Sequence, residues 1–596
     1  MTHAHRLAAV RRTMAEYDIN AFIVPHDDEH LGEYIPPYAE RLDWVTGFSG
    51  SAGVAVILAD TAAMFVDGRY TVQVRQQCDN TLFSYHHLID EPYLNWLITE
   101  LNAGDKVGFD AHLHSQHWYQ GAQEKLAAHN ITLVPIAHNI IDQHWQDRPT
   151  PNSHPALLLS QDYSGQHSEA KRNRIAQGLA EQHIDAQLLT QAEPINWLLN
   201  IRGRDIDCLP VVLSFALLYQ DGSVQLFADP AKFAGLDLAA HAGDNVSLFA
   251  VCEFEKHLQM LGTQKSRVQL DPTTANAWSA LTLSEAGAEL VFAADPCMLP
   301  KACKNQVEVN GSRSAHLRDG AAVCRFLSWL DKRLSQPHPE QEHEGTLADK
   351  LESFRASHPE FVEPSFSTIS ALGPNAAMCH YHHLNGTPRT LGQDAIYLVD
   401  SGGQYLDGTT DITRTVAVGE PDAEIKKLFT LVLRGHIDLA QARFPAGTAG
   451  QQLDALARMP LWQQGYNFDH GTGHGVGHYL SVHEGPQRIS PKGSMVPLTS
   501  GMIVSNEPGY YREQGFGIRC ENLQVVQAAH LDGDIPVFEF ETLTFVPFDR
   551  RLIDENWLEN KHIQWLNQYH RQVWEKISPL LEGDDLAWLE QATRPL

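Results

Sequence analysis

The sequence predicts two related α/β domains in tandem, followed by an α+β domain. Three observations lead there. Helical and strand-like segments alternate over the first 150 residues, the same order returns after a proline-rich break, and a long amphipathic helix then opens a stretch of different character. At 596 residues the chain exceeds what one hydrophobic core usually supports, so more than one domain is expected.

The first segment opens with an amphipathic helix around Arg6 to Glu16 and the strand AFIVP, then continues through RLDWVTGFSGSAGVAVI and AAMFVDGRYTVQV. A helix over about 168–182 begins the second segment, ahead of IDAQLLT, INWLLNIRG and VVLSFALLYQDGSVQLFAD. DINAFIV matches HIDAQLL, LDWVTGF matches INWLLNI, and AAMFVDG matches VQLFADP. The two segments therefore read as related domains, at a period too long for a solenoid. Pro149, Pro151 and Pro155, in polar company, mark the linker, which gives domains at 1–150 and 156–303. The second boundary, near ADPCMLPKACKNQ, is softer. The long helix from Lys304 to about Leu334 opens the third domain, 304–596. Its last sixty residues form a helical extension whose Trp557, Trp565, Trp574 and Trp588 are expected in core or interface.

Composition excludes several classes of function. Apolar residues make up 43% and charged residues 20%, as in ordinary globular protein. The net charge of -29, without a basic patch, argues against nucleic-acid binding. The N-terminus lacks an uninterrupted apolar core with a cleavage site, and no apolar run approaches a membrane span. Eight scattered cysteines without a CxxC pair suit a reducing cytoplasm, where the chain is expected to stay. Cys379 and Cys520 adjoin residues of interest. Alternation along a strand would turn both thiols away, buried.

The chemistry concentrates between Asp400 and Glu521. LVDSGGQYLDGTTDITRT, HGTGHGVGHYLSVHEGP, SNEPGYY and GFGIRCENL together carry Asp400, Asp411, His474, Glu507 and Glu521. IYLVD ends a strand and DITRT begins another, so a hairpin or bulged ladder would bring Asp400 and Asp411 together. The glycines of HGTGHGVGH place His470 and His474 on a shaped loop, with His474 the better ligand candidate and His470 and His483 left to face substrate. Glu507 closes the apolar run GMIVSNE before Pro-Gly. Glu521 sits mid-strand in GIRCENLQVV, where an ion pair with Arg519 is the alternative to a metal. Four crowded carboxylates cannot all ionise without compensation. Two divalent cations balance them, and hard oxygen donors with one imidazole point to manganese, with cobalt, iron and zinc also open. Water between two such ions would be acidified into a nucleophile for amide hydrolysis, and no GxSxG element offers a serine instead.

At these motifs the sequence resembles the family of creatinase, prolidase, methionine aminopeptidase and aminopeptidase P, the pita-bread metallopeptidases. The resemblance runs essentially the whole chain and is closest to the long, three-domain, cytosolic-type aminopeptidases P. It implies two creatinase-like α/β domains before a pita-bread catalytic domain. It further implies that Asp400, Asp411, His474, Glu507 and Glu521 bind two metals, with Asp411 and Glu521 bridging. His380 in NAAMCHYHH, His470 and His483 are similar to histidines that line the substrate site and assist proton movement, and Arg69 in VDGRY to an arginine that reaches substrate. Homodimerisation is implied too. His382 and His383 are extra imidazoles with no counterpart role. The implied substrate is a peptide with proline second, cleaved after its first residue. An X-Pro bond is a tertiary amide with a rigid ring and no N–H, which ordinary peptidases exclude. Prolidase, restricted to dipeptides, and a non-catalytic peptide-binding module are the alternatives.

Overall fold

The structure is a computed structural model, and it describes residues 1–392 and 394–596. Two compact units divide the chain: residues 1–160 with 166–297, and residues 161–165 with 298–596.

The first unit contains two six-stranded sheets. In the first, the strands Ser84–His87, Ala62–Val66, Val54–Leu58, Ala21–Pro25, Lys106–Phe109 and Thr132–Pro135 lie side by side in that order. In the second, Val246–Phe249, Val224–Phe227, Phe215–Tyr219, Ala186–Leu189, Arg267–Leu270 and Glu289–Phe292 take the same places. The sense of pairing also agrees strand for strand. The two inner pairs on one side of Ala21–Pro25 and of Ala186–Leu189 are antiparallel, and the three others are parallel. AFIVP and AQLL are central strands covered on both faces, which is why neither alternates polar with apolar. The matched segments LDWVTGF and INWLLNI are helical in both, at Arg41–Thr46 and Ala192–Leu199. The two domains are thus related in topology as well as in sequence.

The second unit opens with the 29-residue helix Gln306–Leu334. Asn305 caps it, accepting from the amides of Val307 and Glu308, while Glu308 returns a bond to the Asn305 amide. A three-stranded antiparallel sheet pairs Ile396–Ser401 with Ile369–Leu372 on one side and Ile412–Ala417 on the other. A six-stranded sheet orders Arg443–Pro445, Val537–Thr542, Asn522–Ala529, Ile503–Asn506, Gly473–Gly475 and Glu484–Ile489. Helices Ala423–Ala440 and Asn560–Ile577 share one apolar core with the long helix. Trp557, Trp565, Trp574 and Trp588 pack against that core, so the C-terminal aromatics are structural. Among the described residues no helix is long and apolar enough to cross a membrane.

Candidate metal centre

The site is built where these two sheets present their strand ends. Asp400 lies near the end of Ile396–Ser401, opposite Thr413, and Asp411 stands just before Ile412–Ala417, so a paired ladder does bring the two acids together. The chain between them makes its own small strands, Gly403–Tyr405 and Gly408–Thr409. Glu507 follows Ile503–Asn506. His474 is the middle residue of the short strand Gly473–Gly475 rather than part of a loop, because its backbone finds partners in the strand Glu484–Ile489. A Cβ on Gly473 would lie 2.0 Å from the Ser505 carbonyl, so only glycine lets this strand approach the one leading to Glu507. Glu521 does not sit mid-strand. It occupies the break between Phe516–Arg519 and Asn522–Ala529, which belong to different sheets.

The donors converge. His474 Nε2 lies 3.5 Å from Asp411 Oδ2 and 3.5 Å from Glu507 Oε1. One donor atom from each of Asp411, His474 and Glu521 falls within 4.8 Å of the others. His474 Nδ1 lies 2.9 Å from the Gly475 carbonyl, which can only accept, so the proton sits on Nδ1 and Nε2 turns to the acids. Asp400, Asp411 and Glu521 are almost completely buried, and Glu507 is half-buried.

Electrostatics show what this crowding demands. Burial raises Asp400 to about 6, with Arg519 opposing and Asp411 reinforcing the rise. Burial raises Glu507 to about 7 against the pull of His474 and Arg519. Glu521 is pushed well above the usual carboxylate range by burial and then by Asp411, Asp400 and Glu507. Burial would lower His474, but its hydrogen bond with Asp411 and the charge of Glu507 lift it to about 9. Asp400 Oδ1 and Glu521 Oε1 are buried without a hydrogen-bond partner. Four acids that share one guanidinium and one imidazole, two of them with a buried oxygen no protein donor reaches, form a hard donor set that fits divalent cations.

The alternative of an Arg519–Glu521 ion pair is not found. Arg519 turns to Asp400, with Nη2 2.5 Å from Oδ2, and Glu521 Oε2 instead accepts from the Thr413 hydroxyl at 2.7 Å. Arg519 also donates to Thr413 Oγ1 and to the Tyr511 hydroxyl, and Tyr511 in turn meets His470 Nε2 at 2.8 Å. Thr413, Tyr511 and Ser505, whose hydroxyl donates to Glu507 Oε1, were missed in the sequence. Each adjoins or lies within a motif that carries a ligand candidate, and register would have placed Thr413 opposite Asp400.

The candidate substrate residues divide. The His483 ring stands edge-on to His474, with centroids 4.3 Å apart, and His470 contacts the site through Tyr511. His380 is a half-buried turn residue following Cys379, whose carbonyl accepts from Arg519. His382 and His383 stack on each other at 4.9 Å. Arg69 belongs to the first unit, where it grips Asp67 through Nε and Nη2. Cys520 is buried as expected, but Cys379 is only half-buried. It follows the short helix Gly373–Ala377 rather than lying in a strand, so strand alternation does not govern it.

A buried carboxylate–imidazole cluster in this α+β domain, preceded by paired α/β domains, defines a metallopeptidase of the pita-bread class. Residues 310–528 match the model of metallopeptidase family M24, and 536–596 match the C-terminal region of that family. Residues 6–143 and 147–308 match creatinase/prolidase N-terminal domains. A probable Xaa-Pro aminopeptidase P of Laccaria bicolor is 38% identical over 99% of this chain and 93% of its own. The crystal structure of X-prolyl aminopeptidase from Caenorhabditis elegans, described as a cytosolic enzyme with a di-nuclear active site, superposes with a TM-score of 0.94. It is 34% identical, with 100% of both chains covered. An Xaa-Pro dipeptidase from Bacillus anthracis shares only the fold, at 24% identity and a TM-score of 0.51 over 64% of this chain and 99% of its own. The chain belongs to the Xaa-Pro aminopeptidase P family.

Proposed function

We propose that this chain is a metal-dependent aminopeptidase that releases the first residue from peptides with proline second. The observation that carries the reading is the convergence of Asp411, His474 and Glu521 within 4.8 Å, in a pocket where buried carboxylate oxygens lack protein donors. Asp400, Asp411, His474, Glu507 and Glu521 would hold two divalent ions, and manganese suits the donor set. When bound, such ions supply Lewis acidity to the scissile carbonyl and lower the pKa of water.

The remaining work falls to the chain. Glu507 is the one acid of the four that is not fully buried, which suits its carboxylate to accept the proton of the attacking water. Arg519 orients Asp400, and Thr413 orients Glu521. His483, against His474, and His380 stabilise the charge developing on the carbonyl oxygen, and His470, held by Tyr511, completes the substrate wall. Arg69 is assigned to substrate binding on the family resemblance of its VDGRY turn alone. Eight scattered cysteines without a CxxC pair support a cytoplasmic location, and homodimerisation follows the family pattern.

The reading is tested by assaying Xaa-Pro-Xaa tripeptides and Xaa-Pro dipeptides on chelator-stripped and manganese-reloaded protein. Tripeptide cleavage confined to the reloaded protein is expected. Hydrolysis of dipeptides alone would make the chain a prolidase, and metal uptake without hydrolysis of either would make it a binding module.

A further inference from the structure

Glu521 lies in a break between strands, so no sheet ladder holds it in place. Two successive residues of Ile412–Ala417 hold it instead. The Thr413 carbonyl accepts from the Glu521 amide at 3.2 Å, and the Thr413 hydroxyl donates to Glu521 Oε2 at 2.7 Å. Arg414 Nη1 donates to the Glu521 carbonyl at 2.5 Å. The amide, carbonyl and carboxylate of Glu521 are thus all gripped from one side.

Arg414 is itself held from behind. Its guanidinium, 1% exposed, donates to the carbonyls of Thr413, Val546 and Pro547, to Asn522 Oδ1 and to the Tyr569 hydroxyl at 3.0 Å, and it stacks on Phe548 at 4.1 Å. These partners are neutral, so the burial of this cation is only partly offset. The Tyr569 hydroxyl, on the helix Asn560–Ile577, donates on to the Val546 carbonyl at 2.8 Å. Val546, Pro547, Phe548 and Tyr569 all lie in the C-terminal segment 536–596.

We propose that this segment is part of the machinery that places Glu521, with Arg414 and Tyr569 as positioning residues, so that metal binding and docking of the helix Asn560–Ile577 are thermodynamically linked. The inference rests on the metal-ligand reading of Glu521. Linkage is reciprocal: whatever loosens the helix weakens the metal, and the metal tightens the helix by the same factor.

The test uses the full-length chain, stripped of metal and titrated calorimetrically with manganese chloride, together with hydrogen exchange of Asn560–Ile577. Tyr569→Phe removes a partner of Arg414, one step behind the residue that touches Glu521, and is expected to weaken manganese binding about fivefold, below the roughly tenfold that loss of a direct partner of a ligand costs, while the fold survives by circular dichroism. Manganese is expected to slow exchange in the helix of the wild type. Leu589→Ala, a core truncation in the neighbouring helix Gly583–Ala592 that leaves the Arg414 contacts intact, is expected to lower the melting temperature and leave manganese affinity within about twofold. Equal weakening by Leu589→Ala and Tyr569→Phe, unchanged affinity in Tyr569→Phe, or exchange indifferent to manganese overturns the proposal. If Tyr569→Phe does not fold, the wild-type exchange comparison decides. A wild type that takes up no manganese overturns the metal reading first, and this inference with it.

Discussion

Asp411→Ala and Glu521→Ala are each expected to remove metal uptake and turnover together. The two residues contribute donor atoms to the same 4.8 Å cluster, and Glu521 is the most buried of the four acids. Lewis-acid activation of an amide supplies several kcal/mol, and each 1.36 kcal/mol is tenfold in rate, so kcat/KM should fall by about a thousandfold or more. The fold should survive and even gain stability in the metal-free state, because the substitution relieves repulsion among buried carboxylates. Metal content by atomic emission and steady-state kinetics on a proline-second peptide check both halves. Full activity with unchanged metal content in either variant would defeat the assignment.

Glu484→Ala should be the most destabilising single change outside the metal cluster. Glu484 follows His483, and its carboxylate lies between two buried ammonium groups, with Lys301 Nζ 2.7 Å from Oε2 and Lys304 Nζ bonded to Oε1. The side chains of all three are at most 3% exposed. Removing the carboxylate leaves two buried cations unpaired, at a cost of about 3–5 kcal/mol, visible as a fall in melting temperature. Burial works to raise the pKa of Glu484, but the charges of Lys301 and Lys304 prevail and lower it. A carboxylate depressed in the folded state contributes stability above its unfolded pKa, and that contribution disappears as pH falls through the folded value. The gap between wild type and Glu484→Ala should therefore be full at neutral pH and narrow below about pH 4.5. A gap of the same size at pH 3 would show that the ion pairs are not its source.

Much of the site could be read from the chain because each ligand candidate carries its own local signal. Asp400 and Asp411 bracket a strand–turn–strand pattern, Glu507 is stopped by Pro-Gly, and His474 sits among glycines. The repeat of the two α/β domains was legible for a similar reason: central strands and the helices beside them leave apolar signatures that survive divergence. Two elements that differ from the sequence reading do so each for its own reason. The Glu521 segment alternates like one strand, yet its two halves pair in different sheets, and partner choice is a long-range decision that period-two alternation does not encode. Strand alternation does not apply to Cys379, because the chain turns there and forms no strand.

Residue type and spacing alone determined that acids and an imidazole would be brought into one pocket, and that such a set needs external positive charge. The tertiary structure decided which cation each acid meets. Arg519 reaches Asp400 and not Glu521 because the strand breaks at Cys520, and Glu521 is placed by Thr413 and Arg414 from a strand more than a hundred residues earlier. The physical reason is range: propensity and periodicity act over a few residues, whereas a buried carboxylate is stabilised by whichever donors the completed fold carries within about 3 Å of it.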